Sequence, residues 1–137
     1  QEDVFLRGTI PQGDLANELK KSRLLVYPCH ELLAADFYAE TSCITALQAQ
    51  AAGTPVVSSS YGALPESVKS TETGILIKGD PFSQEYKNNF IKTVINLMKN
   101  QSAWQSMSRN AQKHVFEKYS WSLIANEWEE EFNLLLS

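Results

Sequence analysis

The sequence predicts an α/β fold with a Rossmann-like parallel sheet, flanking helices and a helical carboxyl-terminal tail. Up to residue 81, short apolar runs alternate with segments of helical periodicity, as in βαβ units with right-handed crossovers. From residue 82 onward, the strand-like runs stop and only helical spacing continues. The chain has 137 residues, 43% of them hydrophobic, which is enough for one domain with a substantial core. We therefore expect a single domain over 1–137, with 82–137 as its helical tail.

Four short apolar segments have the character of strands. Residues 23–27 (RLLVY) form a nearly continuous apolar run, which is typical of a parallel strand covered on both faces. The predicted strands are residues 4–7, 23–27, 55–58 and 74–77.

Six segments are predicted to be helical. Pro65 with Glu66 beside it indicates a helix start, because proline is tolerated in the first turn. The last helix carries apolar residues at helical spacing, and we expect this stripe to pack in the core or against another domain. The predicted helices are residues 15–21, 43–52, a short helix starting near Pro65, 86–99, 102–119 and 120–136, and the stripe is Trp121, Ile124, Trp128, Phe132 and Leu135.

The stretch 37–57, FYAETSCITALQAQAAGTPVV, carries the main functional signal. Glu40 precedes a helix of small and apolar residues, with Thr41 or Ser42 as its expected N-cap, and Gly53 is suited to end it in a left-handed conformation. Gln48 lies roughly 9 Å along the helix axis from Ser42, about the reach of a diphosphate with a sugar on each side. The helix amino terminus would hold the phosphates, while Glu40 and Gln48 would reach for hydroxyls.

Segments along nearly the whole chain resemble the carboxyl-terminal, donor-binding domain of retaining glycosyltransferases of the GT-B fold, of the glycogen-synthase-like or group 1 type. They are VFLRGTIP at the start, ETSCITALQAQAAGTPVV, YGALPE with TGILIKGDP, and YSW near the end. That family carries an E-x7-E motif where this chain has Glu40 and Gln48, so the second glutamate is replaced here.

The resemblance implies a role for each residue of this site. Glu40 would be the catalytic residue and would accept hydrogen bonds from the donor sugar, while Gln48 would bind ribose without charge assistance. The donor sugar and diphosphate would be bound by Glu40, Thr41, Ser42, Cys43 and Ile44, and the nucleobase by Thr9 and Ile10.

The resemblance also implies a whole enzyme larger than this chain. It would be a metal-independent enzyme without a cofactor that transfers a hexose from a nucleotide-diphosphate sugar to a glycan, lipid or small-molecule hydroxyl, as in polysaccharide biosynthesis. We expect the amino-terminal acceptor domain and the first two central strands to lie outside this sequence, so that the isolated chain is inactive. Residues 4–7 would then pair with residues 23–27 or with another chain.

Composition excludes several other classes. A net charge of −4 without a basic stripe argues against nucleic-acid binding. No apolar run approaches the roughly 20 residues of a membrane helix, so we expect peripheral membrane contact only through parts outside this sequence. Cys29 and Cys43 have no metal-ligand spacing, and a cytoplasmic location with reduced thiols is the expectation.

Alternatives to the enzymatic roles stay open at this point. The alternative for Glu40 is a solvated carboxylate, and the alternative for Gln48 is a solvent-facing helical residue. Cys43 lacks a neighbouring base and is better explained as a buried thiol. His30 lies in a loop at the carboxyl end of a strand, where ligands bind in such sheets, and His114 is expected to be a surface residue. The alternative function is a non-catalytic nucleotide-sugar-binding or assembly module.

Overall fold

The computed structural model describes residues 3–29 and 40–136. A three-stranded parallel sheet has helices on both faces and is followed by three longer helices, which confirms the predicted fold class. The strands are β1 (Leu25–Tyr27), β2 (Val56–Ser59) and β3 (Gly74–Ile77). The helices are α1 (Gln12–Lys21), α2 (Ile44–Ala51), α3 (Leu64–Ser67), α4 (Gln84–Lys99), α5 (Gln101–Lys118) and α6 (Trp121–Leu136).

Strand β2 is the centre of the sheet, with β1 on one side and β3 on the other. Val56 pairs with Leu25 and Gly74, and all four residues of β2 are buried. Because alternate side chains of a strand point to opposite faces, Val56 belongs to the core formed with α1, α2 and α3, while Val57 belongs to the core formed with α4 and α5. The sheet therefore separates two hydrophobic clusters.

Residues 4–7 do not form the predicted strand. Val4, Phe5 and Leu6 are 62%, 77% and 97% exposed, and β1 pairs only with β2 within the described residues. An apolar run becomes a strand only where a neighbour takes up its backbone hydrogen bonds, and the described chain offers none here. The expected pairing with residues 23–27 is thus wrong, whereas pairing by another chain stays a prediction.

Strand β1 is shorter and less covered than its sequence suggested. It begins at Leu25 instead of residue 23, and Val26 is 45% exposed. An apolar run signals two-sided burial only in the interior of a sheet, and β1 is the edge of the described sheet.

Helix α2 starts at Ile44, with Cys43 as its N-cap, so the expectation that Thr41 or Ser42 caps it is wrong. The Ser42 N–H donates to Glu40 Oε1 at 3.3 Å, and the Ser42 carbonyl accepts from the Ile44 N–H at 2.8 Å. These bonds form a tight turn before the helix, which moves the first helical residue one position along. At the other end, Gly53 has φ +79° and lies just past the helix, as predicted.

Helix α6 does not pack into a core. None of its residues is buried, and the side chains of Trp121, Trp128 and Phe132 are 84%, 58% and 53% exposed. Only Leu123 and Ile124, in the first turn, are half-buried, and every later residue of the helix is exposed. The apolar stripe was correctly located. It does not pack in a core of the described chain, and the other expectation, packing against another domain, stays a prediction.

Candidate functional site

An open cleft of about 610 Å³ lies along one side of α2. It runs from the turn that precedes α2 to the junction between α5 and α6, and α3 forms a further wall. Its polar lining residues are Gln12, Thr41, Ser42, Gln48, Glu66 and Ser67. Its larger apolar lining residues are Ile44, Leu47, Val115, Tyr119, Trp121 and Ile124. Among the described lining residues, Glu66 carries the only full charge.

The amino terminus of α2 faces this cleft through Ser42 and Ile44. Its N-cap residue, Cys43, makes no side-chain capping hydrogen bond, and its first turn contains no acidic residue. Helix N-termini leave several N–H groups without intrahelical partners and carry a partial positive charge. An uncapped helix end that opens into a cleft can therefore bind an anionic group such as a phosphate.

Glu40 is buried, with a side chain only 6% exposed, so it is not a solvated loop carboxylate. Its Oε2 accepts from the Tyr27 hydroxyl at 2.9 Å, and its Oε1 accepts from the Ser42 N–H. Its backbone carbonyl accepts from the Ala63 N–H at 2.8 Å. The strand β1, the turn into α2 and the segment before α3 thus hold one carboxylate directly behind the cleft wall.

The segment YGALPE has a local reason for its glycine. Gly62 has φ +56°, and a Cβ added there would overlap the carbonyl oxygen of Glu40. Glycine is the residue that adopts this conformation without penalty, and it also leaves room for the neighbouring backbone. The glycine of YGALPE is therefore needed, at least in part, so that the backbone of Glu40 can pack beside it.

The groups around Glu40 are held in their neutral forms. Burial, followed by the hydrogen bond to Glu40 and the charge of Glu40, raises the pKa of Tyr27 well above its ordinary value. Burial, and then the charge of Glu40, raises the pKa of the Cys29 thiol. Burial is also the main cause that raises the pKa of Cys43. Since the thiolate is the reactive form, this environment disfavours Cys43 as a nucleophile.

The predicted site residues separate into three groups. Thr41, Ser42, Ile44 and Gln48 line the cleft together, and Gln48 is half-buried. Glu40 and Cys43 are buried beside it. Thr9 is exposed and Ile10 half-buried in a segment without regular structure, and neither lines the cleft.

Two histidines and one tyrosine complete this comparison. His30 lies outside the described residues. His114 is not an ordinary surface residue, because it is half-buried and its Nε2 has no hydrogen-bond partner in the described chain. Tyr27, which donates to Glu40, was not predicted as a site residue. The sequence feature that could have identified Tyr27 is its position as the only aromatic residue, at the end of an otherwise aliphatic strand.

A smaller, largely apolar cavity of about 260 Å³ adjoins the cleft between α1 and α2. Gln12, Gln48 and Ala51 line both spaces, so Gln48 stands at their boundary. Leu15 and Leu19 contribute the apolar wall on the α1 side.

Comparisons with known proteins place this α/β domain in a family. The family model described as "Glycosyl transferases group 1" matches residues 1–114. The chain is 30% identical to a D-inositol 3-phosphate glycosyltransferase from Rhodococcus opacus over 74% of its own length and 21% of the relative's. It is 32% identical to the corresponding protein from Corynebacterium efficiens over 74% of its length and 23% of the relative's. The chain therefore belongs to the group 1 glycosyltransferases, and it spans about a fifth of these relatives.

The fold has a match among solved structures. The sucrose-phosphate synthase from Thermosynechococcus elongatus superposes with a TM-score of 0.76 at 22% identity, covering 98% of this chain and 31% of that protein. At this identity the likeness concerns the fold, and it corresponds to part of the GT-B architecture. Within the described residues, no helix combines the length and apolar character needed to cross a membrane.

Proposed function

We propose that this chain is the donor-binding part of a retaining, metal-independent glycosyltransferase. The whole protein would transfer a hexose from a nucleotide-diphosphate sugar to a hydroxyl of a glycan, lipid or small molecule, in the cytoplasm and in polysaccharide biosynthesis. Acceptor binding would need a further domain, and this chain alone would be inactive. The observation that carries the proposal is the cleft that joins the uncapped amino terminus of α2 with Thr41, Ser42 and Gln48.

The diphosphate is proposed to bind at the start of α2. Ser42, Cys43 and Ile44 would contribute through the positive end of the helix more than through three free donors, because the Ser42 and Ile44 N–H groups already donate to Glu40 Oε1 and to the Ser42 carbonyl. Thr41 and Ser42 would add hydroxyls at the cleft surface. The helix dipole favours an anion there without a metal ion. Because no Lys or Arg is among the described lining residues, we expect modest affinity for the phosphates from this chain alone.

Gln48 is proposed to contact the ribose. It lies one turn into α2, roughly 6 Å along the axis from Ile44, and it lines both the main cleft and the adjoining apolar cavity. A glutamine oxygen accepts hydrogen bonds from hydroxyls, but without the charge of a glutamate the bonds are weaker. The nucleobase would then lie towards the start of α1, near Thr9 and Ile10.

Glu40 is proposed as the catalytic residue. In a retaining transfer the sugar passes through an oxocarbenium-like state, and a fixed carboxylate stabilises positive charge as it develops. Glu40 suits this role because it is held from two sides and shielded from solvent, which strengthens its electrostatic effect. The same carboxylate would accept hydrogen bonds from the sugar hydroxyls.

Calorimetric titration with UDP, GDP and ADP, and with their glucose or mannose conjugates, tests the proposal. We expect one nucleotide to bind in the micromolar to millimolar range, Gln48→Ala to weaken it, and Gln48→Glu to strengthen it. Gln105→Ala, an exposed helical glutamine outside the cleft, is the matched control and should change nothing. Absence of binding to all of these nucleotides and conjugates would contradict donor binding by this chain.

A second candidate, a non-catalytic nucleotide-sugar-binding or assembly module, is favoured by one observation. Gln48 stands where the family motif has a glutamate, so the site lacks the negative charge that would strengthen hydrogen bonds to the ligand. If Gln48→Glu in the full-length protein increases neither affinity nor transfer, while the unaltered protein still binds the nucleotide sugar, the binding module is the better description.

A further inference from the structure

The side chain of Glu40 has a partner on the sheet. The Tyr27 hydroxyl donates to Glu40 Oε2 at 2.9 Å, while the Ser42 N–H donates to Oε1 at 3.3 Å. Tyr27 is the last residue of β1, so its hydroxyl belongs to the rigid sheet, whereas the Ser42 N–H belongs to the turn before α2. Glu40 is therefore oriented by two separate elements of the fold.

The backbone of Tyr27 is itself fixed. Its carbonyl oxygen accepts from the hydroxyl of Ser58, a fully buried residue of β2, and from the N–H of Cys29 at 2.9 Å. Its ring packs against the core cluster that contains Cys43 and Val56. A side chain anchored in this way can hold another group at a constant position, because little rotational freedom remains to it.

We propose that Tyr27 is a positioning residue that orients Glu40 towards the donor sugar. This proposal rests on the proposed function, in which Glu40 accepts hydrogen bonds from that sugar. A carboxylate has about four acceptor positions, and Tyr27 and Ser42 use one on each oxygen. Within the described residues, one acceptor position on each oxygen is then left, and the proposal assigns these positions to sugar hydroxyls, in a direction set by the Tyr27 hydrogen bond.

Tyr27 acts here as a donor only. Burial and the neighbouring Glu40 raise its pKa, so the phenol keeps its proton throughout the neutral range and cannot repel the carboxylate as a phenolate. The ring contributes to the core, and the hydroxyl contributes to Glu40. Tyr27→Phe separates the two contributions, since it keeps the ring and removes only the donor.

The test compares each nucleotide-sugar conjugate with the corresponding bare nucleotide by calorimetry, using UDP-glucose with UDP, GDP-mannose with GDP and ADP-glucose with ADP. We expect Tyr27→Phe to weaken binding of the conjugate about five- to tenfold and to change binding of the bare nucleotide less than about twofold. In a Glu40→Ala background, the same substitution should have no further effect on the conjugate.

Tyr86→Phe is the matched control. Its hydroxyl is hydrogen-bonded to Ser59 at 2.6 Å, its ring belongs to the second buried cluster, and it does not line the cleft. It should lower thermal stability as Tyr27→Phe does, but change both affinities equally little. A purely structural role of Tyr27 would give the same pattern as this control.

The outcomes separate the two proposals. If Tyr27→Phe leaves both affinities unchanged, or lowers both equally, the positioning role is wrong while donor binding stands. If the unaltered chain binds none of the ligands, donor binding by this chain is wrong, and the positioning role is overturned with it.

Discussion

Substituting alanine for Gly62 should damage the site and the fold together. Gly62 has φ +56°, and its added Cβ would meet the carbonyl oxygen of Glu40. The left-handed conformation costs a residue with a Cβ about 1–2 kcal/mol. Displacing Glu40 also endangers the 2.8 Å bond from the Ala63 N–H, which contributes about 1 kcal/mol. Together these effects predict a loss of about 2–3 kcal/mol in the free energy of unfolding.

Gly8→Ala is the matched control for this experiment. Gly8 has nearly the same conformation, φ +61°, but nothing lies within 4 Å of the added Cβ. Urea denaturation of both variants separates backbone strain from the clash with Glu40, and calorimetry with nucleotide sugar should show weakened binding for Gly62→Ala alone. Equal stability losses with unchanged ligand binding would refute the argument that Gly62 gives Glu40 its place.

Three further predictions concern the packing and its dependence on pH. Gln50 is fully buried, and its Oε1 has no hydrogen-bond partner in the described chain, so Gln50→Glu should destabilise the fold at pH 7 by about 1–3 kcal/mol more than Gln50→Leu in urea denaturation. Burial, and then the positive charge of Lys69, lowers the pKa of His114 in the folded chain. Because the unfolded chain therefore protonates His114 at a higher pH than the folded chain, the free energy of unfolding should decline as pH falls below about 6.5. His114→Gln should show a smaller decline over pH 6.5–5, and an identical profile would contradict the argument. Trp128→Ala should change the free energy of unfolding by at most about 0.5 kcal/mol, because this residue of α6 is exposed. Leu97→Ala, at a site that is 5% exposed, should lower it by about 2–5 kcal/mol. Losses of similar size for the two variants would show that α6 is packed in solution.

Hydrophobic periodicity was sufficient to predict most of the fold. Strand β3 has its predicted bounds, and α4 and α5 start within two residues of the predicted positions. Periodicity records which residues are apolar, but not whether a partner surface is present. For the apolar residues 4–7 and the stripe of α6, the sequence could therefore not decide between burial within this chain and burial against another chain or domain, and nothing in the described chain covers either of them.

The candidate site was predictable where the signal was local. Thr41, Ser42, Ile44 and Gln48 meet in the cleft because they lie on one turn and the helix that follows it. Tyr27 could not be found this way, since its hydrogen bond to Glu40 joins residues 13 positions apart in the chain. The N-cap was also misplaced, because the Glu40 side chain bonds the Ser42 N–H and shifts the start of α2.

A titration of the isotopically labelled chain with nucleotide, followed by backbone amide NMR, would test the central claim most directly. The account predicts that the largest shifts occur at residues 41–45 and at Gln48, around the amino terminus of α2. It also predicts additional shifts at Glu40 only with the sugar conjugate. Shifts concentrated instead around the polar surface cavity lined by Lys69, Lys113 and His114 would contradict it.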